Sequence, residues 1–185
     1  MPEEAVPIDL KEILSINVRV IDCTGYPVEG AQGYTEDDET RMVRTLWYDE
    51  PIPFTEAAEI GTEKVICDHS TIGILVTTDG TIVDIPRENY VEPERKVVEN
   101  LQEIGKPFVI VLNSTDPYSK EVSDIATDME EEYGVPVIPA NCLELTHDDV
   151  VLIMEQVLYE FPVSEMTVRI PRWVQMLSSA HWLKS

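Results

Sequence analysis

Positive charge is scarce in this 185-residue chain: 13 Lys and Arg stand against 36 Asp and Glu, a formal charge of -23. So acidic a composition excludes a protein that tracks nucleic-acid phosphates and disfavours direct attraction to anionic lipid. Cysteine is scarce too. Cys23, Cys67 and Cys142 are odd in number and far apart, with no CxxC spacing and no histidine cluster beside them, which argues against a disulfide framework or a zinc site and for a reducing compartment. Each is expected to be a small buried hydrophobe. No run approaches the roughly 20 apolar residues that span a bilayer. The first twenty residues carry Glu3, Glu4, Asp9 and Glu12 in place of a secretory apolar stretch. The expectation is a cytosolic protein or a piece of one. Internal repeats and low-complexity tracts are also missing. With 43% hydrophobic residues, the chain nevertheless has enough apolar material to fold around a core.

What is present is an alternation of strand-like and helix-like periods. Ala5 to Leu10 and Ile16 to Ile21 read as a short antiparallel pair. A loop rich in Gly, Pro and acid follows from Gly25 to Pro53, then a helix from Thr55, as its cap, to His69. Ile72 to Thr77 is a near-continuous apolar run suited to a strand covered on both faces. Pro93 is predicted to open a helix through Ile104, with Val97, Val98, Leu101 and Ile104 on its core face and Gly105 at its exit. Phe108 to Leu112 forms the next strand, Val122 to Tyr133 a helix ending at Gly134, Val135 to Ala140 another strand, and Asp148 to Glu160 a helix. Three apolar strands joined by helices give a βαβαβ series with right-handed crossovers: an α/β fold with a mostly parallel sheet covered by helices on both faces. Residues 1–161 are assigned to this unit. Residues 162–185, with a strand over 166–170 and a helix over 173–182, start a following region.

In open α/β sheets ligands bind beyond the carboxyl ends of the strands. Here those exits are polar: Asp22-Cys23-Thr24-Gly25, Thr77-Thr78-Asp79-Gly80, Asn113-Ser114-Thr115-Asp116 and Ala140-Asn141-Cys142. Singly, each is an ordinary turn composition. In series, a strand ending in DxxG, a later one ending in NxxD and a last one ending in a small-residue loop match a P-loop, GTPase-like sheet. In that chemistry the DxxG carboxylate holds Mg²⁺ through water, the glycine N–H meets the terminal phosphate, and the NKxD carboxylate reads the base. Asp22, Gly25, Asn113 and Asp116 hold those places, with Ala140 and Asn141 in the last loop. Asp22 is alternatively an Asx-turn residue and Asp116 a cap for the turn before Pro117, while the Thr77-Thr78-Asp79-Gly80 turn is either phosphate-side or a plain loop, the loop being the preferred reading. Two departures stand out: Ser114 replaces Lys, and Tyr26 stands where a water-orienting Gln is common.

No GxxxxGK[ST] occurs, so the loop of N–H groups and the lysine that grip the β- and γ-phosphates are missing from the sequence. The first strand and the helix it feeds are missing with them. The expectation is a partial P-loop NTPase domain that opens at its second strand.

The runs NVRVIDCTGYPVEGAQGY, TLWYDEPIPFTEAAEIGTEKVI, HSTIGILVTTDGTI, GKPFVIVLNSTDPY, YEFPV and HWL, in this order along the chain, resemble the stage IV sporulation protein A family of endospore-forming bacteria. The resemblance covers nearly the whole length. It implies a spore-coat morphogenetic ATPase that uses ATP and Mg²⁺ instead of GTP, with Ser114 in keeping with lost guanine specificity and Asp22 as the Walker B carboxylate. It also implies hydrolysis-driven self-assembly into a polymer on the forespore surface in the mother-cell cytoplasm. A small membrane-anchoring spore protein and other coat proteins would be partners, engaged mostly through regions outside these residues. The family's phosphate-gripping lysine and sensor threonine would lie upstream, so the isolated chain is expected to be inactive.

Three further features admit structural readings. The acidic runs 36–39 and 128–132 suit solvated faces. His69 at a helix exit suits the dipole. Trp47, Tyr48, Pro51 and Pro53 form either a packed loop or a contact surface.

Overall fold

The computed structural model describes residues 5–10, 14–36 and 39–161; the expectations for 162–185 lie outside the described residues. Val6–Leu10 (β1) and Leu14–Val18 (β2) pair antiparallel with Ile8 opposite Ile16, as the two β-compatible runs predict. The second strand stops at Val18, so 19–21 carry the chain outside the ladder toward Asp22. The expected loop after Gly25 contains two minimal ladders, Thr35–Glu36 (β3) with Glu39–Thr40 (β4) and Met42–Val43 (β5) with Ile52–Pro53 (β6).

The next helix, Phe54–Lys64 (α1), runs into one wider π-helical turn over Val65–His69. Pro53 holds the N-cap position with no side-chain cap, and Thr55 lies inside the helix instead of capping it. The far end is capped from elsewhere in the chain. Lys106 Nζ donates to the carbonyl oxygens of Ile66, Cys67 (2.9 Å) and Ser70 (2.7 Å), placing a cation where the helix leaves carbonyls unsatisfied.

Gly73–Thr78 (β7), Glu88–Glu103 (α2), Phe108–Asn113 (β8), Lys120–Tyr133 (α3), Val137–Ala140 (β9) and His147–Tyr159 (α4) complete the predicted βαβαβ series and its last helix. The sheet order is β7-β8-β9, all parallel, with Leu75 beside Ile110 and Leu112 beside Pro139. Phe108, Ile110 and Leu112 face α2 and α3 through Val98, Leu101, Val122, Ala126 and Met129. Val109 and Val111 face the opposite side, toward Ile153 and Val157 of α4. This period-two division is what a strand buried on both faces requires.

Helix ends follow their signals where glycine supplies them. Gly105 (φ +64°) donates to Gln102 O and Lys106 to Leu101 O, a Schellman closure, and Gly134 (φ +69°) ends α3. Ser119 caps α3 from the front, and a Thr146–Asp149 capping box opens α4. Two expectations need correction. Helix α2 starts five residues before Pro93, which lies inside it, and Ile104 is 40% exposed instead of joining the core face. The extra turn is held by tertiary bonds. Arg87 forms a two-pronged pair with Glu94 (2.8 and 2.9 Å), and Asn89 Nδ2 donates to Glu29 O at 2.9 Å. These offset the single backbone bond that Pro93 cannot make.

Helix cover is also incomplete at β7. Ile74 (42%) and Val76 (56%) are exposed on the side where α4 packs over β8 alone, and no strand pairs with the outer edge of β7 among the described residues. Cys23 and Cys67 are exposed, against the expectation of buried thiols, Cys23 in the irregular segment after β2 and Cys67 in the π-helical turn at the end of α1; Cys142 is half-buried.

Glu94 is the buried charge of the core, 3% exposed. Besides Arg87, the Tyr133 hydroxyl donates to it at 2.8 Å, tying α2 to α3 and to the loop after β7. Burial, then the bond to Glu94, pushes the Tyr133 phenol well above its ordinary pKa. Removing one partner of such a pair leaves an uncompensated charge. Glu94→Ala is therefore expected to cost about 3 kcal/mol in urea unfolding. Lys106→Met, which strips the helix cap but keeps the stem, should cost about 1–2 kcal/mol by the same measurement.

Candidate functional site

Parallel pairing brings the ends of β7, β8 and β9 to one edge of the sheet, and the loops leaving them are bonded to one another. Asp79 N–H donates to Asn113 O (3.2 Å), and Ser114 N–H to Ala140 O (3.0 Å). Asn113 Oδ1 accepts the Cys142 N–H at 2.9 Å, so its side chain spans from the β8 exit to the β9 exit. Burial pushes the Cys142 thiol up, away from the reactive thiolate. Asn113, Ala140 and Asn141 thus lie close together at the sheet edge. Asn141 also builds its own turn, accepting from Leu143 N (3.1 Å) and donating to Glu144 (3.3 Å).

Ser114, read from sequence as a substituted lysine, is fully buried. Its Oγ accepts the Asp116 N–H at 3.0 Å, while its hydroxyl helps to hold the Asp79 carboxyl below its ordinary value. Asp116 itself is exposed at the lip of the loop, where a carboxylate is free to meet a ligand. Its carbonyl receives the Ser119 N–H (3.1 Å), so the backbone also serves as the turn that leads into α3.

The turn at Asp79 carries more than its composition announces. Asp79 Oδ1 accepts from Thr81 N (2.9 Å) and Thr81 Oγ1 (2.7 Å), and Thr81 Oγ1 in turn accepts the Thr115 N–H at 3.1 Å. Burial alone would raise the Asp79 pKa, but the bonds from Ser114 and Thr81 outweigh it and hold the carboxyl below its ordinary value. Gly80 has φ +93°, and a Cβ there would lie 3.0 Å from Arg87 N, so the position demands glycine on both counts. The composition of this segment predicts no more than a loop. A bond between residues 34 positions apart has no local signature.

Asp22 and Gly25 lie apart from these exits, across a cavity of about 340 Å³. Ile21, Asp22 and Gly25 line one side of it and Ile74 and Val76 of β7 the other, with Thr62 of α1 between the helices and the sheet. Asp22 is exposed and Gly25 takes φ +77° with open space around it, as a turn meant to be approached requires. Thr62 Oγ1 is buried there and has no hydrogen-bond partner among the described residues, in a cavity whose other lining side chains are mostly apolar. Tyr26 does not line this cavity. It is buried against α2, where its hydroxyl accepts from Asn100 and Lys96 lies 5.7 Å over its ring, so it anchors the Asp22–Gly25 turn instead of orienting a water. Among the described residues no three His, Cys, Asp or Glu side chains converge. A lone Asp22 suits Mg²⁺, which keeps most of its waters and takes phosphate oxygens as its other ligands.

Comparisons with known proteins place this geometry. Residues 1–162 match the family model described as Stage IV sporulation protein A, ATPase domain. Curated proteins named Stage IV sporulation protein A are similar over the whole chain: 48% identical over 184 residues in Bacillus anthracis, 47% over 184 in Bacillus subtilis strain 168 and 48% over 185 in Clostridioides difficile strain 630. The chain spans 37–38% of the length of these relatives. No solved structure matches it. The α/β fold, with its parallel β7-β8-β9 sheet flanked by helices, is that of a partial P-loop NTPase-like domain, and the chain belongs to the stage IV sporulation protein A family through that ATPase domain.

Proposed function

We propose that these residues are the larger part of the nucleotide-binding domain of a sporulation ATPase, which hydrolyses ATP and uses the cycle to assemble with copies of itself into the basement layer of the spore coat. The observation that carries this reading is that Asp22 and Gly25 share a cavity with the edge of β7 that is unpaired among the described residues, while the Asn113–Asp116 and Ala140–Asn141 loops leave the neighbouring strands of the β7 sheet. An upstream strand with its phosphate-binding loop would pair with β7 there and bring backbone N–H groups to the Thr62 side of the cavity. Asp22 would hold Mg²⁺ through water and Gly25 would offer its N–H to the terminal phosphate. The ion, when bound, neutralises phosphate charge as it transfers. Asn113 holds the base-side loops together, Asp116 faces the base, and Ala140 and Asn141 close the pocket. With Ser114 turned inward toward Asp79, the loop lacks the lysine that accompanies guanine reading, in keeping with ATP.

Assembly follows as the second half of the proposal. Leu46, Trp47 and Tyr48 are exposed on the loop above α1, with Lys64 5.7 Å from the Trp47 ring, and such an apolar patch suits a contact between copies. The forespore surface, the membrane-anchoring protein and the other coat proteins belong to the same proposal. In the full-length protein, Asp22→Ala is expected to reduce ATP turnover at least about 100-fold, the scale for losing a group that acts on transition-state charge, while leaving the fold intact by circular dichroism. Turnover within a few-fold of the parent would remove Asp22 from the site.

A further inference from the structure

Asp79 belongs to no part of the nucleotide site described above, yet it is the most heavily bonded carboxylate of the sheet edge. Hydroxyls of Thr81 (2.7 Å) and Thr78 (3.4 Å) donate to it, and the Ser114 hydroxyl helps to hold its carboxyl below the ordinary value. The Thr81 and Ser114 oxygens each accept an amide of the neighbouring loop: Thr115 N–H on Thr81 Oγ1 (3.1 Å) and Asp116 N–H on Ser114 Oγ (3.0 Å). A hydroxyl has one hydrogen to give. Committing it to the carboxylate turns the oxygen lone pairs toward the amides, and the charge on Asp79 strengthens both links. The backbone adds a third tie, from Asp79 N–H to Asn113 O (3.2 Å).

We propose that Asp79, acting through Thr81 and Ser114, is the positioning residue for the Asn113–Asp116 loop, setting the height and register at which Asp116 meets the nucleotide base. The functional consequence rests on the nucleotide-binding reading above; the latch itself does not. Its geometry explains why position 114 is serine. A lysine could not lie fully buried with its terminus donating to Asp79 while its side chain also accepted the Asp116 amide, because an ammonium has no acceptor. Base-side positioning in this chain is thereby linked to the end of β7.

The test uses the full-length protein with Thr81→Val, which keeps the side-chain shape and removes the acceptor, and Thr81→Ser, which restores the hydroxyl. Amide hydrogen exchange without ligand should be several-fold faster at Thr115 and Asp116 in Thr81→Val and close to the parent in Thr81→Ser. Unchanged exchange would overturn the latch whatever the protein binds. Calorimetry with ATP and with inorganic tripolyphosphate, each with Mg²⁺, reads the functional half. Thr81→Val should weaken ATP by about three- to ten-fold, the scale of one lost hydrogen bond, and leave tripolyphosphate unchanged. Equal losses for both ligands, or none for ATP, would overturn positioning of the base-side loop. A parent protein that binds neither ligand would instead refute the nucleotide-binding reading, with the exchange result still deciding the latch.

Discussion

Burial of β8 on both faces is the constraint from which the rest of the structure follows. Val109, Ile110, Val111 and Leu112 are at most 2% exposed, and both edges of the strand are hydrogen-bonded, to β7 and to β9. A side chain of this size removed from water contributes about 1.5–3 kcal/mol, so four in succession outweigh any local preference nearby. Because alternate residues must find alternate partners, α2 and α3 are forced to one face and α4 to the other. Parallel pairing then leaves no freedom in where the loops emerge. The exits of β7, β8 and β9 lie side by side because their strands do.

That forced proximity is what makes short polar turns useful. Asn113 can reach the Cys142 amide, and Asp79 can gather the hydroxyls of Thr81 and Ser114, only because the register sets Thr78 beside Asn113 and Asn113 beside Ala140. The Glu94 network acts on the same loop from the other end. Arg87 closes the segment that starts at Asp79 and locks it to α2 and α3. The turn between is fixed by a glycine that no other residue replaces without meeting the Arg87 backbone. The chain thus ties its strand-exit loops to one another while leaving the Asp22 side, beyond the end of β2, bounded by a cavity and by a strand edge that is unpaired among the described residues.

The parallel strands and the helix exits were legible in the sequence because the signals were local and strong: near-continuous apolar runs, and glycines at the two positions where φ turns positive after a helix. The start of α2 was not. Pro93 looks like a first-turn residue, and only the Arg87–Glu94 pair and the Asn89 bond to Glu29, the latter spanning 60 positions, hold the turn before it. The incomplete cover of β7 has a similar reason, since a near-continuous apolar run states that both faces suit burial but not which element supplies it. Asn113, Ala140 and Asn141 could be placed at neighbouring strand exits because the exits can be read from apolar runs. The role of Asp79 was missed because Asp, Thr and Gly are favoured in turns for local reasons, and nothing in their composition separates a turn from a latch. Exposed Cys23 and Cys67 show the same limit: residue type states a preference for burial, while position in the fold decides it.

The central claim is that the cavity between Asp22 and the open edge of β7 is the phosphate side of an ATP site completed by an upstream strand. Calorimetry with ATP and with GTP, in the presence of Mg²⁺, on these 185 residues beside a version extended upstream through the phosphate-binding loop tests it most directly. The expected result is binding by the extended version alone, with ATP preferred. Binding by the 185 residues as tight as that of the extended version would contradict it, because the phosphate site would then lie elsewhere.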